Sequence, residues 1–164
     1  MNIVDSSCWL EFFAGSKVGE KVAPIIEELE SLIVPVITIY EVFKKLLQEV
    51  DEDKAIMAIA HMKLGKVVEM DSDLAINAAR IGKEKHLALA DSIIYATVAK
   101  YNCILWTQDK HFKELENVNY FEKSSSQQLL QLDNRCCHEK CWSLSLPCTF
   151  RAKSSPSAQT AIAS

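Results

Sequence analysis

Residues 87–112 read LALADSIIYATVAKYNCILWTQDKHF, and this stretch decides the fold of the chain. Residues 87–101 are nearly all apolar, which predicts a buried helix, and residues 103–107 read as a buried strand. A helix that leads at once into a strand is half of the repeating unit of α/β proteins. The stretch also carries two acids, Asp91 within the helix and Asp109 just after the strand.

The same alternation extends in both directions along the chain. One helix is predicted from Ser16 onward, although Gly19 and Pro24 leave its first residue uncertain, and another runs from Thr38 to residue 50. The remaining strands are predicted at 1–5, 32–37, 66–70 and 118–122, and the remaining helices at 7–14, 52–63 and 72–85. Strands that alternate with helices predict an α/β fold with a central parallel sheet of four to five strands.

Size and charge set limits on the class of protein. The chain has 164 residues, of which 49% are hydrophobic, enough for one domain with a substantial core. Residues 1–123 hold 14 Lys and Arg against 20 Asp and Glu, a net of −6. An acidic body argues against broad binding of a phosphate backbone. It leaves room for a small nuclease, because bound cations invert the local charge of a carboxylate pocket.

Composition changes near Lys123. We expect a domain over 1–123 and a poorly ordered or non-native tail over 124–164, which is rich in Ser and lacks periodicity. Zn²⁺ binding by the tail is a separate hypothesis, although the spacing differs from common zinc sites; its candidate ligands are Cys136, Cys137, His138 and Cys141. Cys8 and Cys103 lie in apolar runs and are expected to be buried thiols. With neither a secretory signal nor a membrane span, we expect a cytoplasmic protein.

Four acids follow or flank the predicted strands. Asp5 ends the first strand, Glu41 lies at the start of the helix after the second, and Asp91 and Asp109 bracket the fourth. In a parallel sheet these positions meet at the carboxyl edge, where doubly wound proteins bind ligands. Carboxylates gathered there repel one another, so we expect a divalent cation, Mg²⁺ or Mn²⁺, with the four acids as its ligands.

Each acid also has a structural alternative that the sequence leaves open. Asp5 could cap a helix, and Asp109 could serve as a loop or cap residue. Glu41 could close a capping box with Thr38. Asp91 is the hardest to explain structurally, because burial of an unpaired carboxylate among apolar residues is costly. The histidines at 61, 86 and 111 are expected to be surface or core residues rather than ligands.

Four segments, taken together, resemble the motifs of a known family. They are IVDSSCWLEF (3–12), TIYEVFKKL (38–46), LALADSIIYATVAK (87–100) and ILWTQDKHF (104–112). Their order and separation resemble those of the PIN-domain family, in particular the VapC-like toxin ribonucleases of type II toxin–antitoxin systems. The resemblance covers about residues 1–123.

The resemblance implies a three-layer α/β/α sandwich and metal-dependent endonucleolytic cleavage of RNA. It implies that Asp5, Glu41, Asp91 and Asp109 form the catalytic metal site, with Ser7 and Thr107 as small hydroxyl residues beside it. It further implies a homodimer that a cognate antitoxin inhibits by covering the active site. The tail has no counterpart in the family pattern.

Two other functions compete with this one. A nuclease acting on DNA or on structured nucleic acid would use the same acids, although the compact body lacks the long insertions such enzymes use. A phosphoacceptor receiver domain, which is not an enzyme, would need a second acid beside Asp5 and a Lys after the strand at 103–107. Asp5 stands alone after the first strand, and no Lys is placed at the end of CILWTQ (103–108).

Overall fold

A five-stranded parallel sheet forms the centre of the protein in the computed structural model, which describes residues 1–123. The strands are β1 (Asn2–Val4), β2 (Leu32–Pro35), β3 (Lys66–Val68), β4 (Ile104–Thr107) and β5 (Val118–Tyr120). They lie in the order β3-β2-β1-β4-β5, and every pairing is parallel. The predicted α/β class and parallel sheet are confirmed. The predicted tail and its possible zinc ligands lie outside the described residues.

Helices cover both faces of this sheet and confirm the three-layer arrangement. They are α1 (Ser6–Phe13), α2 (Lys17–Glu27), α3 (Val36–Glu49), α4 (Glu52–Met62), α5 (Ser72–Lys85) and α6 (Leu89–Tyr101). One core joins β1 and β2 to α1–α4 through Val4, Leu32 and Val34. The other core joins the sheet to α5 and α6. Its strand residues, such as Ile3 and Ile33, alternate with those of the first core and point to the opposite face of the sheet.

The order of the strands creates a topological switch point between β1 and β4. The chain builds outward from β1 to β2 and β3, and later adds β4 and β5 on the other side of β1. Val4 pairs with Trp106, and the main-chain N–H of Asp5 donates to the Trp106 carbonyl at 2.9 Å. Doubly wound sheets bind ligands in the crevice beyond such a point, so the fold itself marks this edge.

Helix α3 begins two residues earlier than predicted, and this corrects the interpretation of Thr38 as a cap. Strand β2 ends at Pro35, which precedes the helix with φ at −62°. Thr38 is fully buried inside the helix, and its hydroxyl has no hydrogen-bond partner. The predicted capping box therefore does not form. The β-branched run after Pro35 favours a strand locally, but packing against the core makes it helical.

The first two helices cross at very close range, which explains Gly19. The Ser16 hydroxyl caps α2 by accepting from the Gly19 N–H at 3.0 Å. A Cβ at Gly19 would lie 2.3 Å from the Glu11 carbonyl oxygen and 2.8 Å from the Phe12 Cα. Only a residue without a side chain lets α2 approach the backbone of α1 this closely.

Two further sequence-based predictions are tested within the described residues. Cys8 and Cys103 are both buried free thiols, as expected, and burial together with the Asp5 charge raises the pKa of Cys8 to about 12. Among residues 1–123, no helix has the length and apolar character needed to cross a bilayer.

Candidate active site

The four predicted acids arrive at the switch point from four different elements. Asp5 follows β1, Glu41 lies in the second turn of α3, Asp91 in the first turn of α6, and Asp109 in the loop after β4. The negative charges of the other three acids all raise the pKa of Glu41. The structure therefore brings the predicted acids into one electrostatically coupled group.

Asp5 is held by a hydrogen-bonded relay. It occupies the N-cap position of α1, but its side chain makes no capping hydrogen bond. Instead the hydroxyls of Ser7 and Thr107 donate to Asp5 Oδ2, at 2.6 and 2.9 Å. Those hydroxyls accept in turn from the main-chain N–H groups of Gln108 and Asp109, at 3.3 and 2.9 Å. The predicted hydroxyl residues thus lie where they fix the orientation of the carboxylate.

The relay leaves the second oxygen of Asp5 available for a ligand. Both strong donors converge on Oδ2, while Oδ1 has only the Ser6 hydroxyl at 3.5 Å, which is beyond good hydrogen-bond length. Asp5 is only 4% exposed. A buried carboxylate with a free oxygen directed by fixed donors is a suitable ligand for a cation.

Glu41 is half-buried and not engaged in a helix cap. Burial is the main cause of its raised pKa, and the charges of Asp5, Asp91 and Asp109 add to it. A hydrogen bond from the Ser6 side chain acts in the opposite direction and lowers the pKa. Ser6, to which the sequence analysis assigns no role, therefore lies close to the carboxylates of both Asp5 and Glu41.

Asp91 carries the strongest electrostatic signature of the group. Burial, followed by the charges of Asp109 and Asp5, raises the pKa of Asp91 from 3.8 to about 6. Its side chain is 16% exposed. The nearby His111 side chain acts in the opposite direction and lowers the pKa, but burial and repulsion dominate.

Asp109 brings His111 into the acid group, although the sequence analysis expects this histidine to be a surface or core residue. The Asp109 carboxylate accepts from the main-chain N–H of His111 at 2.9 Å, and this bond starts a 3₁₀ turn (Lys110–Phe112). The imidazole Nδ1 of His111 lies 3.0 Å from Asp109 Oδ1 and 3.8 Å from Asp91 Oδ2. The signal in the sequence is the Asp-x-His spacing directly after a strand, which a turn closes into a pair.

Three of these side chains are already close enough to share one ion. Ligand atoms of Asp91, Asp109 and His111 all lie within 4.8 Å of one another. Oxygen donors with one nitrogen suit a divalent metal ion. Burial and mutual repulsion together raise the pKa of both Asp91 and Glu41, and a bound dication would relieve the repulsion. The residues present therefore fit a divalent cation.

We expect the metal-free protein to lose stability as pH rises from 3.8 to about 6, because of Asp91. In this window the folded state holds a proton on Asp91 that the unfolded state has released, so raising the pH favours unfolding. Glu41 acts in the same direction. In urea unfolding with EDTA, raising the pH across this window should cost Asp91→Asn less stability than it costs the wild type. Equal slopes would contradict the assignment of the shift to Asp91.

Comparison with known proteins places this geometry in a family. A family model described as the PIN domain matches residues 3–118. No curated protein has a detectable sequence match. Among solved structures, a toxin–antitoxin complex from Klebsiella pneumoniae superposes with a TM-score of 0.63 and 21% identity, covering 75% of this chain and 100% of the other.

Two further structures show the same fold. VapC20 from Mycobacterium tuberculosis has a TM-score of 0.58 and 18% identity, covering 69% of this chain and 93% of its own. VapBC-1 from nontypeable Haemophilus influenzae has a TM-score of 0.57 and 16% identity, covering 74% and 96%. The family model matches well over half of the chain, its span contains all four acids, and the chain therefore belongs to the PIN-domain family.

Proposed function

We propose that this protein is a divalent-cation-dependent endoribonuclease and the toxin of a toxin–antitoxin pair. The observation that supports this most directly is the electrostatic coupling of four acids from four elements at the switch point of a PIN-domain sheet. Nuclease activity is the chemistry that the PIN family implies. Membership in the family also argues against the receiver-domain alternative.

The acids Asp5, Glu41, Asp91 and Asp109 would hold Mg²⁺ or Mn²⁺. When bound, the cation supplies Lewis-acid polarisation of the scissile phosphate and a lowered pKa for an attacking water. Asp5 is oriented for this role by Ser7 and Thr107, which fix one of its oxygens. Glu41, half-buried beside the other three acids, would supply a further oxygen ligand. The products would carry a 5′-phosphate and a 3′-hydroxyl.

RNA as the substrate and an antitoxin as the partner are supported by the structural neighbours. The neighbour VapC20 is described as a toxin that cleaves the sarcin–ricin loop, and the Klebsiella pneumoniae structure as a toxin–antitoxin complex. By the same analogy we propose a homodimer whose active site a cognate antitoxin covers.

Cleavage mapping on total cellular RNA tests the proposal. We expect the full-length protein with Mg²⁺ or Mn²⁺ to cut a small set of sites, leaving 5′-phosphates, and excess EDTA to abolish cutting. A matched panel of single- and double-stranded DNA in the same buffers separates a ribonuclease from a DNA nuclease. Cation-dependent cutting of DNA with RNA left intact would replace the proposal with the DNA-nuclease alternative, and no cutting of either would refute both.

A further inference from the structure

A histidine stands among the carboxylates of the proposed metal site. His111 directs its Nδ1 at Asp109 Oδ1, 3.0 Å away, and at Asp91 Oδ2, 3.8 Å away. Its side chain is 66% exposed, so the ring is not held there by burial in the core. Its position follows instead from the turn that Asp109 closes.

We propose that His111 supplies a nitrogen ligand to the cation at this site, and that the site therefore binds Mn²⁺ in preference to Mg²⁺. This inference rests on the proposed function, because it assigns a further ligand to the same site. It goes beyond that function by naming a fifth residue and the ion that the residue selects.

The backbone preorganises His111 for this role. The main-chain N–H of His111 donates to Asp109 Oδ1 at 2.9 Å, which brings residues 109 and 111 to the same side of the turn. The next residue, Phe112, is fully buried and anchors the turn in the core. A ligand already held near its position loses little freedom when the ion binds.

The environments of the other described histidines are different. The ring of His61 lies between aromatic side chains, with centroids 5.6 Å from Phe12 and 6.2 Å from Phe13, and burial lowers its pKa. His86 ends α5 in a left-handed conformation. Of the three histidines that the structure describes, His111 is the one placed with two carboxylates in a possible metal group.

The choice of ion follows from the chemistry of the donors. Mg²⁺ binds oxygen ligands almost exclusively, whereas transition-metal ions also accept imidazole nitrogen. Two carboxylates alone would serve both ions. The added nitrogen of His111 strengthens the binding of Mn²⁺ and contributes little to Mg²⁺.

A different role for His111 makes the opposite prediction. If the ring served only as a protonated counter-ion for Asp91 and Asp109, it would repel an incoming cation. Its removal would then tighten the binding of Mn²⁺ and Mg²⁺ alike. The sign of the change in affinity therefore separates a ligand from a counter-ion.

The test uses the full-length protein and the variants His111→Gln and Lys110→Gln. Glutamine keeps a polar side chain of similar size and removes the imidazole nitrogen. Lys110 is exposed in the same turn, so Lys110→Gln controls for the loss of a positive charge beside the site. Mn²⁺ affinity is measured from the electron paramagnetic resonance signal of the free ion, and Mg²⁺ affinity by its competition with Mn²⁺. Mn²⁺ is chosen over Zn²⁺ because the cysteines of the tail would compete for zinc.

We expect His111→Gln to weaken Mn²⁺ binding by at least about tenfold, as loss of a supporting group at a metal site typically does, and to change Mg²⁺ binding much less. Pulsed resonance spectra of bound Mn²⁺ should show ¹⁴N modulation from imidazole in the wild type and in Lys110→Gln, and lose it in His111→Gln.

Two results would overturn the inference while leaving the proposed function intact. One is Mn²⁺ binding that depends on Asp91 while the spectra exclude His111 as a ligand. The spectra do so if the wild type shows no imidazole ¹⁴N modulation or if the modulation persists in His111→Gln. The other is tighter binding of both ions in His111→Gln. If the wild type binds neither ion, or if Asp91→Asn binds both ions as tightly as the wild type does, the proposed metal site itself is wrong.

Discussion

Asp91→Asn is expected to reduce cation-dependent RNA cleavage by about 10²–10³-fold, the scale seen when a preorganised electrostatic group is removed from an active site. The substitution removes a carboxylate ligand but keeps the size and shape of the side chain. Initial rates of cleavage of a mapped RNA site, measured at saturating Mg²⁺ and Mn²⁺, check this. Full activity at saturating cation would refute the role of Asp91.

The matched control is Asp73→Asn. Asp73 is also an aspartate in the first turn of a helix, α5, but it is exposed and outside the acid group. Any general loss of helix-dipole stabilisation, about 0.3–1 kcal/mol, should appear in both variants. Cleavage should be lost only in Asp91→Asn. In EDTA at neutral pH, Asp91→Asn should melt no lower than the wild type, because it removes one of several repelling charges.

Asp5→Ala is expected to abolish cleavage to a similar extent and, unlike Asp91→Asn, to destabilise the fold. The hydroxyls of Ser7 and Thr107 both donate to Asp5 Oδ2, and Thr107 is fully buried. Without the acceptor, a buried donor is left unpaired, at a cost of about 1–3 kcal/mol. Relief of repulsion with the other acids offsets part of that cost. Urea unfolding in EDTA beside the cleavage assay measures both effects.

The comparison variant is Asp5→Asn, which removes the charge and keeps an oxygen that can accept from Thr107. It should lose cleavage but retain more stability than Asp5→Ala. If both substitutions leave stability unchanged, the relay contributes nothing to the fold. If Asp5→Ala is destabilised but still cleaves RNA at the wild-type rate, Asp5 is a structural residue only.

The sequence predicted the sheet well because its strands are apolar runs separated by strong helical patterns. It was less accurate where local preference and tertiary packing disagree. The β-branched residues after Pro35 favour an extended chain, so the strand was predicted to 37 and the helix from Thr38. The structure ends the strand at Pro35, because the helix that follows packs Ile37 against one core and Ile39 against the other.

The residues of the candidate site also differ in how well the sequence predicts them. Topology accounts for the four acids, because their positions relative to the strands fix the edge of the sheet at which they lie. It does not account for Ser6 or His111, whose side chains reach the group through the details of a helix start and a turn. Nor could it distinguish the two oxygens of Asp5, since that depends in part on a donor, Thr107, that lies 102 positions away in the chain.

The hydroxyl relay at Asp5 has a consequence for how this site can drift during evolution. Both branches begin at main-chain N–H groups, which every amino acid except proline supplies. Serine and threonine are therefore interchangeable at positions 7 and 107 as far as the relay is concerned, whereas alanine or valine breaks it. Chains with low sequence identity can keep the same carboxylate geometry, provided that each retains a hydroxyl side chain at these two positions.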